Sequence, residues 1–235
     1  MPLKTPSWWY RGRGGIAPTL LAPIMLAPLA ALYGRVAASR MGREAAYRSR
    51  LPVICIGNFT SGGGGKTPTA IAVASLLKTM DKTPAFLTRG YGGSAKGVVR
   101  VAGQDAKEVG DEALLLAAAA PTFVSADRVA GAKAIEETDA DVIVMDDGFQ
   151  NPSLAKDLSL IVTDAASGLG NGRVIPAGPL RAPLDAQMDH ADALVIIGEG
   201  KRADVLAAHF ETQGKPVLRP RSCPIAMRAG LPCCR

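Results

Sequence analysis

The sequence predicts an α/β fold, a mostly parallel sheet with helices on both faces, preceded by an N-terminal apolar helix that associates with a membrane. Three observations carry this. Short apolar runs ("PVICIGNF", "TPAFLTR", "TFVSA", "DVIVMDD", "LSLIVTD", "ADALVIIGE") recur through residues 51–200, as strands buried on both faces do. Stretches with helical apolar spacing ("KTPTAIAVASLLKTM", "EVGDEALLLAAAA", "DRVAGAKAIEETD") lie between several of them, the alternation that builds such a sheet. Ahead of them all, "IAPTLLAPIMLAPLAALYG", Ile16 to Gly34, carries no charge.

The N-terminal stretch comes first. Residues 1–50 hold eight Lys/Arg against the single Glu44, so the net charge of +6 resides there and the rest of the chain is close to neutral. Positive charge beside the most apolar segment suits an anionic membrane surface. A near-neutral body with 5% aromatic residues speaks against nucleic-acid binding. Pro18, Pro23 and Pro28 each remove a donor that a lipid-exposed helix needs, and basic residues flank both ends. Trp8, Trp9 and Tyr10 are the amphipathic aromatics that favour the headgroup level. The reading is a peripheral or monotopic anchor; a membrane span and a helix buried on the main domain are the alternatives. No cleavage site of a secretory signal follows.

A chain of 235 residues supports one ample core or two small lobes. The expected organisation is a membrane-associating segment over 1–50, a nucleotide-binding domain over 51–218, and an irregular tail over 219–235. Cys55, Cys223, Cys233 and Cys234 form no C-x-x-C pair, so neither a zinc site nor a disulfide framework is expected. Cys55, inside an apolar run, reads as a buried thiol.

The strand candidate of most interest is the first of the domain, because it runs into "NFTSGGGGKTPT". A phosphate loop reads G-x-x-x-x-G-K-[ST]; here Gly65, Lys66 and Thr67 fit, but Thr60 occupies the opening position. Thr60 and Ser61 lead into Gly62, Gly63, Gly64 and Gly65, whose backbone N–H groups can converge on an anion without Cβ interference. The following helix N-terminus adds positive potential, and Pro68 sits in its first turn, where a missing N–H costs little. Lys66 is expected to reach the terminal phosphates of ATP and the Thr67 hydroxyl to ligate Mg²⁺. Thr60 is tolerable if that corner avoids positive φ. The fold is therefore expected to be P-loop NTPase-like.

Such a loop needs a carboxylate at the end of a neighbouring strand, and "DVIVMDDGFQ" supplies Asp146 and Asp147. "TRGYGG" puts Arg89 in a glycine-rich loop, and "EVGDEALLL" puts Asp111 and Glu112 at a helix start. Those two acids serve equally as helix caps or as acceptors of a proton from an attacking hydroxyl. "ADRVAGA" offers Asp127 as a cap and Arg128 as a phosphate clamp.

Together, "PVICIGNFTSGGGGKTP", "TRGYGG", "VGDEALLLA", "ADR", "DDGFQN" and "DAASGLGNGRVIPAGPLRAPL" resemble the tetraacyldisaccharide 4'-kinase family of lipid A biosynthesis, over about Trp8 to Val217. In that family Ser or Thr commonly stands at the position of Thr60. The resemblance implies transfer of the ATP γ-phosphate to the 4'-hydroxyl of a tetraacylated glucosamine disaccharide 1-phosphate, at the cytoplasmic face of the inner membrane. It implies Lys66 and Thr67 as phosphate and Mg²⁺ ligands, Asp146 and Asp147 as metal and transition-state groups, and Asp111 as general base. It places Glu112, Arg128, Arg173 and Arg181 toward the substrate. Asn151 stands where the family more often has His. Past about Leu218 the likeness stops, and the family's second lobe, with a histidine that partners the aspartate, is not recognisable. His190 and His209 read as surface residues. The implied outcome is nucleotide and membrane binding with poor phosphoryl transfer. A positioning-type membrane ATPase and a non-catalytic nucleotide-binding remnant are the alternatives; the former class carries a second lysine early in its loop, and this loop has only Lys66.

Overall fold

Each apolar run becomes a strand because its side chains are buried on both sides. A computed structural model of the chain describes residues 6–10, 23–62 and 64–220. Gly63, residues 1–5 and 11–22 of the anchor, and the tail from residue 221, with Cys223, Cys233 and Cys234, lie outside the described residues.

The described chain forms two compact units. The first comprises Glu44–Gly57 and Gly65–Leu160. Its strands are β1 (Val53–Gly57), β2 (Pro84–Thr88), β3 (Val98–Arg100), β4 (Thr122–Ser125) and β5 (Val142–Asp146). They run in the order β3-β4-β2-β5-β1. The pairs β1–β5, β2–β5 and β2–β4 are parallel, and only the edge strand β3 is antiparallel to its neighbour. β2, β4 and β5 are buried at every position, which is why they read as unbroken apolar runs rather than alternating ones. The mostly parallel sheet foreseen from the sequence is present.

Helices α2 (Lys66–Thr79), α3 (Ala106–Val109), α4 (Asp111–Ala117) and α5 (Arg128–Glu136) connect these strands. The expected single helix in "EVGDEALLLAAAA" is two, because Gly110 adopts φ 88° and a Cβ there would lie 2.6 Å from the Tyr91 carbonyl. Asp127 caps α5 as anticipated, accepting from the Val129 and Ala130 N–H groups at 2.9 and 3.1 Å. At the other end of α5, Glu136 accepts from Tyr47 Oη (2.8 Å) and from the Ser49 hydroxyl, and pairs with Arg50 Nε at 3.4 Å. This ties the segment entering β1 to the helix.

The second unit comprises Met1–Arg43, Asn58–Gly64 and Ile161–Arg219. β6 (Leu158–Asp164) starts in the first unit and ends in this one, where β7 (Ala193–Ile197) and β8 (Val217–Leu218) follow it in order. Helices α6 (Leu184–Met188) and α7 (Asp204–Thr212) complete this unit with α1 (Ala27–Met41). Gly34 of α1 lies against Pro183 at the start of α6, where a Cβ would sit 3.5 Å from its ring. Ala30, Gly34 and Met41 are the buried positions of α1; Leu29, Leu32 and Val36, spaced for one helical face, are 55–62% exposed. Among the described residues no helix is long and apolar enough to cross a membrane.

The "SWWY" segment departs from its expected headgroup placement. Trp9 is buried; its Nε1 donates to the Pro176 carbonyl at 3.3 Å, and its own carbonyl accepts from Asn171 N at 2.7 Å. The indole N–H finds a backbone acceptor inside the protein, which a buried Trp requires.

Candidate active site

The glycine loop follows β1 and opens α2, as its motif demands. Gly65 is the N-cap of α2 in a left-handed conformation, φ 91°, and Gly62 also has positive φ, 77°. Thr60 does not; it sits in an antiparallel bridge with Leu180. Glycine is needed where φ is positive, and at position 60 the chain is extended, so the letter missing from the motif costs nothing. The loop's first half belongs to the second unit, where Ser61 N donates to the Pro179 carbonyl at 2.7 Å and Arg181 N to the Phe59 carbonyl at 2.9 Å.

Within the first unit, the start of α2 and the end of β5 bring the expected groups together. The Thr67 hydroxyl donates to Asp146 Oδ2 at 3.0 Å. Lys66 Nζ lies 4.0 Å from Asp147 Oδ1, with its side chain largely covered. Asp146 is buried, and its Oδ1 has no hydrogen-bond partner among the described residues. Burial pushes its pKa up to about 6; the Thr67 hydroxyl and Lys66 oppose the rise, and the Glu112 charge reinforces it. A buried carboxylate oxygen with nothing to accept from is costly. Paired with a threonine hydroxyl, it is the donor set of a hard divalent cation that takes its other ligands from phosphates and water. Magnesium fits these residues. Among the described residues no cluster of three or more His, Cys, Asp or Glu could hold a metal.

Asp147 adopts φ 53°, a conformation Asp tolerates better than most residues. Two hydrogen bonds and a neighbouring glycine hold it there. Its N–H donates to the Ile56 carbonyl at 3.0 Å, its carbonyl accepts from Arg128 Nη2 at 3.4 Å, and Gly148 next to it leaves room that a Cβ would take from the Met145 sulfur. Gly57 gives the same relief at the end of β1, since a Cβ would lie 2.4 Å from Phe149 Cβ. Asn151 closes the turn. Its Oδ1 accepts from Ser153 N at 2.9 Å, and its carbonyl accepts from Lys156 Nζ at 2.6 Å.

The remaining candidates fall in two groups. Asp111 and Glu112 lie in the first turn of α4 with no side-chain cap bond, the cap position being Gly110; they are exposed and not capping. Glu112 is near enough to act on the Asp146 charge. Arg128 is 3% exposed and gives its guanidinium to the Ser125 and Asp147 carbonyls; burial, and then the like charge of Arg89, lowers its pKa. That is a backbone-holding placement, whereas the sequence suggested an open clamp. In the second unit, Arg181 Nε donates to the Thr60 carbonyl at 3.3 Å, and Arg173 is exposed. His190 and His209 are exposed and Cys55 is buried, its thiol pushed up to about 12 by desolvation. Sequence reasoning assigned Tyr10 to the headgroup level; its phenol instead meets the Ser61 carbonyl, 51 residues away. No local signal marks that contact.

A glycine loop between a buried strand and a helix, with its lysine and threonine beside carboxylates at the adjoining strand's end, defines the phosphate-loop class of nucleotide-binding α/β proteins. The sequence profile of the tetraacyldisaccharide-1-P 4'-kinase family, LpxK, matches residues 22–230, which extends past Leu218, where the likeness was expected to stop. The chain belongs to that family. Tetraacyldisaccharide 4'-kinases of Rhodopseudomonas palustris and Methylobacterium nodulans are each 52% identical to it, over 94% and 98% of this chain. The chain spans 64% and 68% of the lengths of those relatives. A crystal structure of LpxK from Aquifex aeolicus in complex with ATP matches with a TM-score of 0.67 and 30% identity, covering 84% of this chain and 64% of that one.

Proposed function

We propose that this chain uses ATP to phosphorylate the 4'-hydroxyl of a tetraacylated glucosamine disaccharide 1-phosphate, at the cytoplasmic face of the inner membrane. The observation that carries the reading is the Thr67–Asp146 hydrogen bond beside Lys66, with an unpartnered buried carboxylate oxygen. Family membership supplies the acceptor class.

In this reading the loop amides of Thr60 to Thr67 and the Lys66 ammonium hold the triphosphate, and Thr67 and Asp146 hold Mg²⁺. When bound, the metal offsets phosphate charge and fixes the γ-phosphate orientation. The bond formed joins the acceptor 4'-oxygen to the γ-phosphorus; the bond broken joins that phosphorus to the β,γ-bridging oxygen, and ADP leaves. Asp111 takes the hydroxyl proton, with Glu112 beside it on the same helix turn. Asp147 is steered by its own turn and by Lys66. Arg128 acts by holding the Asp147 carbonyl, and Arg173 and Arg181 are the candidates for anionic groups of the acceptor.

Helix α1 supplies the means of meeting an acyl-chain substrate. Its exposed apolar face of Leu29, Leu32 and Val36 lies among exposed Arg35, Arg40 and Arg43, a combination suited to the boundary of an anionic bilayer. The test is transfer of labelled γ-phosphate to the lipid acceptor in mixed micelles. Acceptor-dependent transfer that Asp111→Asn reduces at least hundredfold supports the reading; ATP consumption indifferent to acceptor refutes it.

A further inference from the structure

The N-terminal "SWWY" segment has no part in the chemistry above, yet it reaches the phosphate loop. Tyr10 Oη donates to the Ser61 carbonyl at 2.9 Å. The Thr60 side chain also hydrogen-bonds Tyr10, and burial raises the phenol's pKa. The segment carrying that phenol is fixed from three directions. The Trp9 indole donates to the Pro176 carbonyl, the Trp9 carbonyl accepts from Asn171 N, and Arg202 donates to the Tyr10 carbonyl. The same turn of loop is held from its other side by the Thr60–Leu180 bridge and by Ser61 N on the Pro179 carbonyl.

We propose that Tyr10 is a positioning residue for nucleotide binding: its hydroxyl fixes the first half of the phosphate loop. The inference rests on the phosphate-loop reading of Thr60 to Thr67. The reason is geometric. Gly62 follows Ser61 with φ 77° and Gly65 closes the loop with φ 91°, so the middle of the loop is made of residues with the widest conformational freedom. Such a loop presents its amides to an anion only if its ends are held. The helix α2 holds the far end; Thr60 and Ser61 are the near end, and Tyr10 meets both. The phenol binds the Ser61 carbonyl and so keeps that oxygen from turning toward an incoming phosphate, which it would repel.

The experiment measures equilibrium affinities of ATP and AMP for the 235-residue chain and its Tyr10→Phe, Arg202→Ala and Lys66→Ala variants. Melting temperatures of the ligand-free proteins are taken alongside. Tyr10→Phe is expected to weaken ATP about fivefold and leave AMP unchanged, because the loop grips the distal phosphates. The ligand-free melting temperature should stay within about 2 °C. Arg202→Ala, which loosens the segment and keeps the hydroxyl, is expected to shift ATP in the same direction by a smaller factor. Equal weakening of ATP and AMP would mean a merely structural role and would overturn the proposal. So would an ATP affinity unchanged in Tyr10→Phe where Lys66→Ala loses it. An ATP affinity unchanged in Lys66→Ala would overturn the phosphate-loop reading itself.

Discussion

Replacing Asp146 by asparagine is expected to relieve a strain that the site carries when empty. Desolvation of the buried carboxyl moves its pKa from 3.8 to about 6. A carboxyl raised in the folded state is favoured protonated by folding. Its contribution to stability is complete below its unfolded pKa and is lost as pH rises through about 6. Two units at 1.36 kcal/mol each make ionised Asp146 cost about 3 kcal/mol at pH 7.5. Asparagine removes the charge and keeps an acceptor for Thr67, but its amide N–H₂ replaces an oxygen that had no partner, a cost of about 1–2 kcal/mol. The variant should thus be more stable by about 1–2 kcal/mol at pH 7.5, or about 2–6 °C for a chain of this size. The stability difference should fall by about 1 kcal/mol between pH 7.5 and pH 5, where wild-type Asp146 is largely protonated. Thermal unfolding in EDTA across that range measures it. A difference between variant and wild type that stays flat with pH would refute the reasoning.

Other substitutions test separate parts of the account. Gly57→Ala should destabilise by about 1–3 kcal/mol through overpacking, because its Cβ would lie 2.4 Å from Phe149 Cβ; denaturant unfolding reads the loss. Glu136→Ala strips Tyr47, Ser49 and Arg50 of their common acceptor and should destabilise the fold, by more than Tyr47→Phe, which removes only the phenol's part of that network. Thr60→Gly restores the standard motif letter but removes a side chain from an extended position, so ATP affinity should fall by about threefold. Leu29→Ser with Leu32→Ser should reduce sedimentation with anionic vesicles by tenfold or more, while ATP affinity is retained.

The strands of the first unit were legible because a parallel sheet buries both faces, which leaves a local signature in "VIVMD" and "PAFLT". The loop was legible because its glycines, Lys66 and Thr67 act within eight residues. Asp127 announced its capping role by composition alone. β3 was not legible: three residues, exposed at two of them, carry no period. The break at Gly110 depends on the approach of Tyr91, 19 residues earlier in the chain. Composition treats a headgroup tryptophan and a buried one alike, so Trp9 was misplaced; its acceptor, the Pro176 carbonyl, is 167 residues away. Arg128 looked like a clamp for the same reason, because its partners are main-chain carbonyls that any sequence provides.

The claim on which the rest depends is that Thr67 and Asp146 form a metal site serving a nucleotide gripped by Lys66. The most direct measurement is ATP affinity in Mg²⁺ and in EDTA for wild type and Thr67→Val. Mg²⁺ should tighten ATP at least tenfold in the wild type, and Thr67→Val should lose that gain while keeping its metal-free affinity. A Thr67→Val protein that retains the full Mg²⁺ effect would contradict the account.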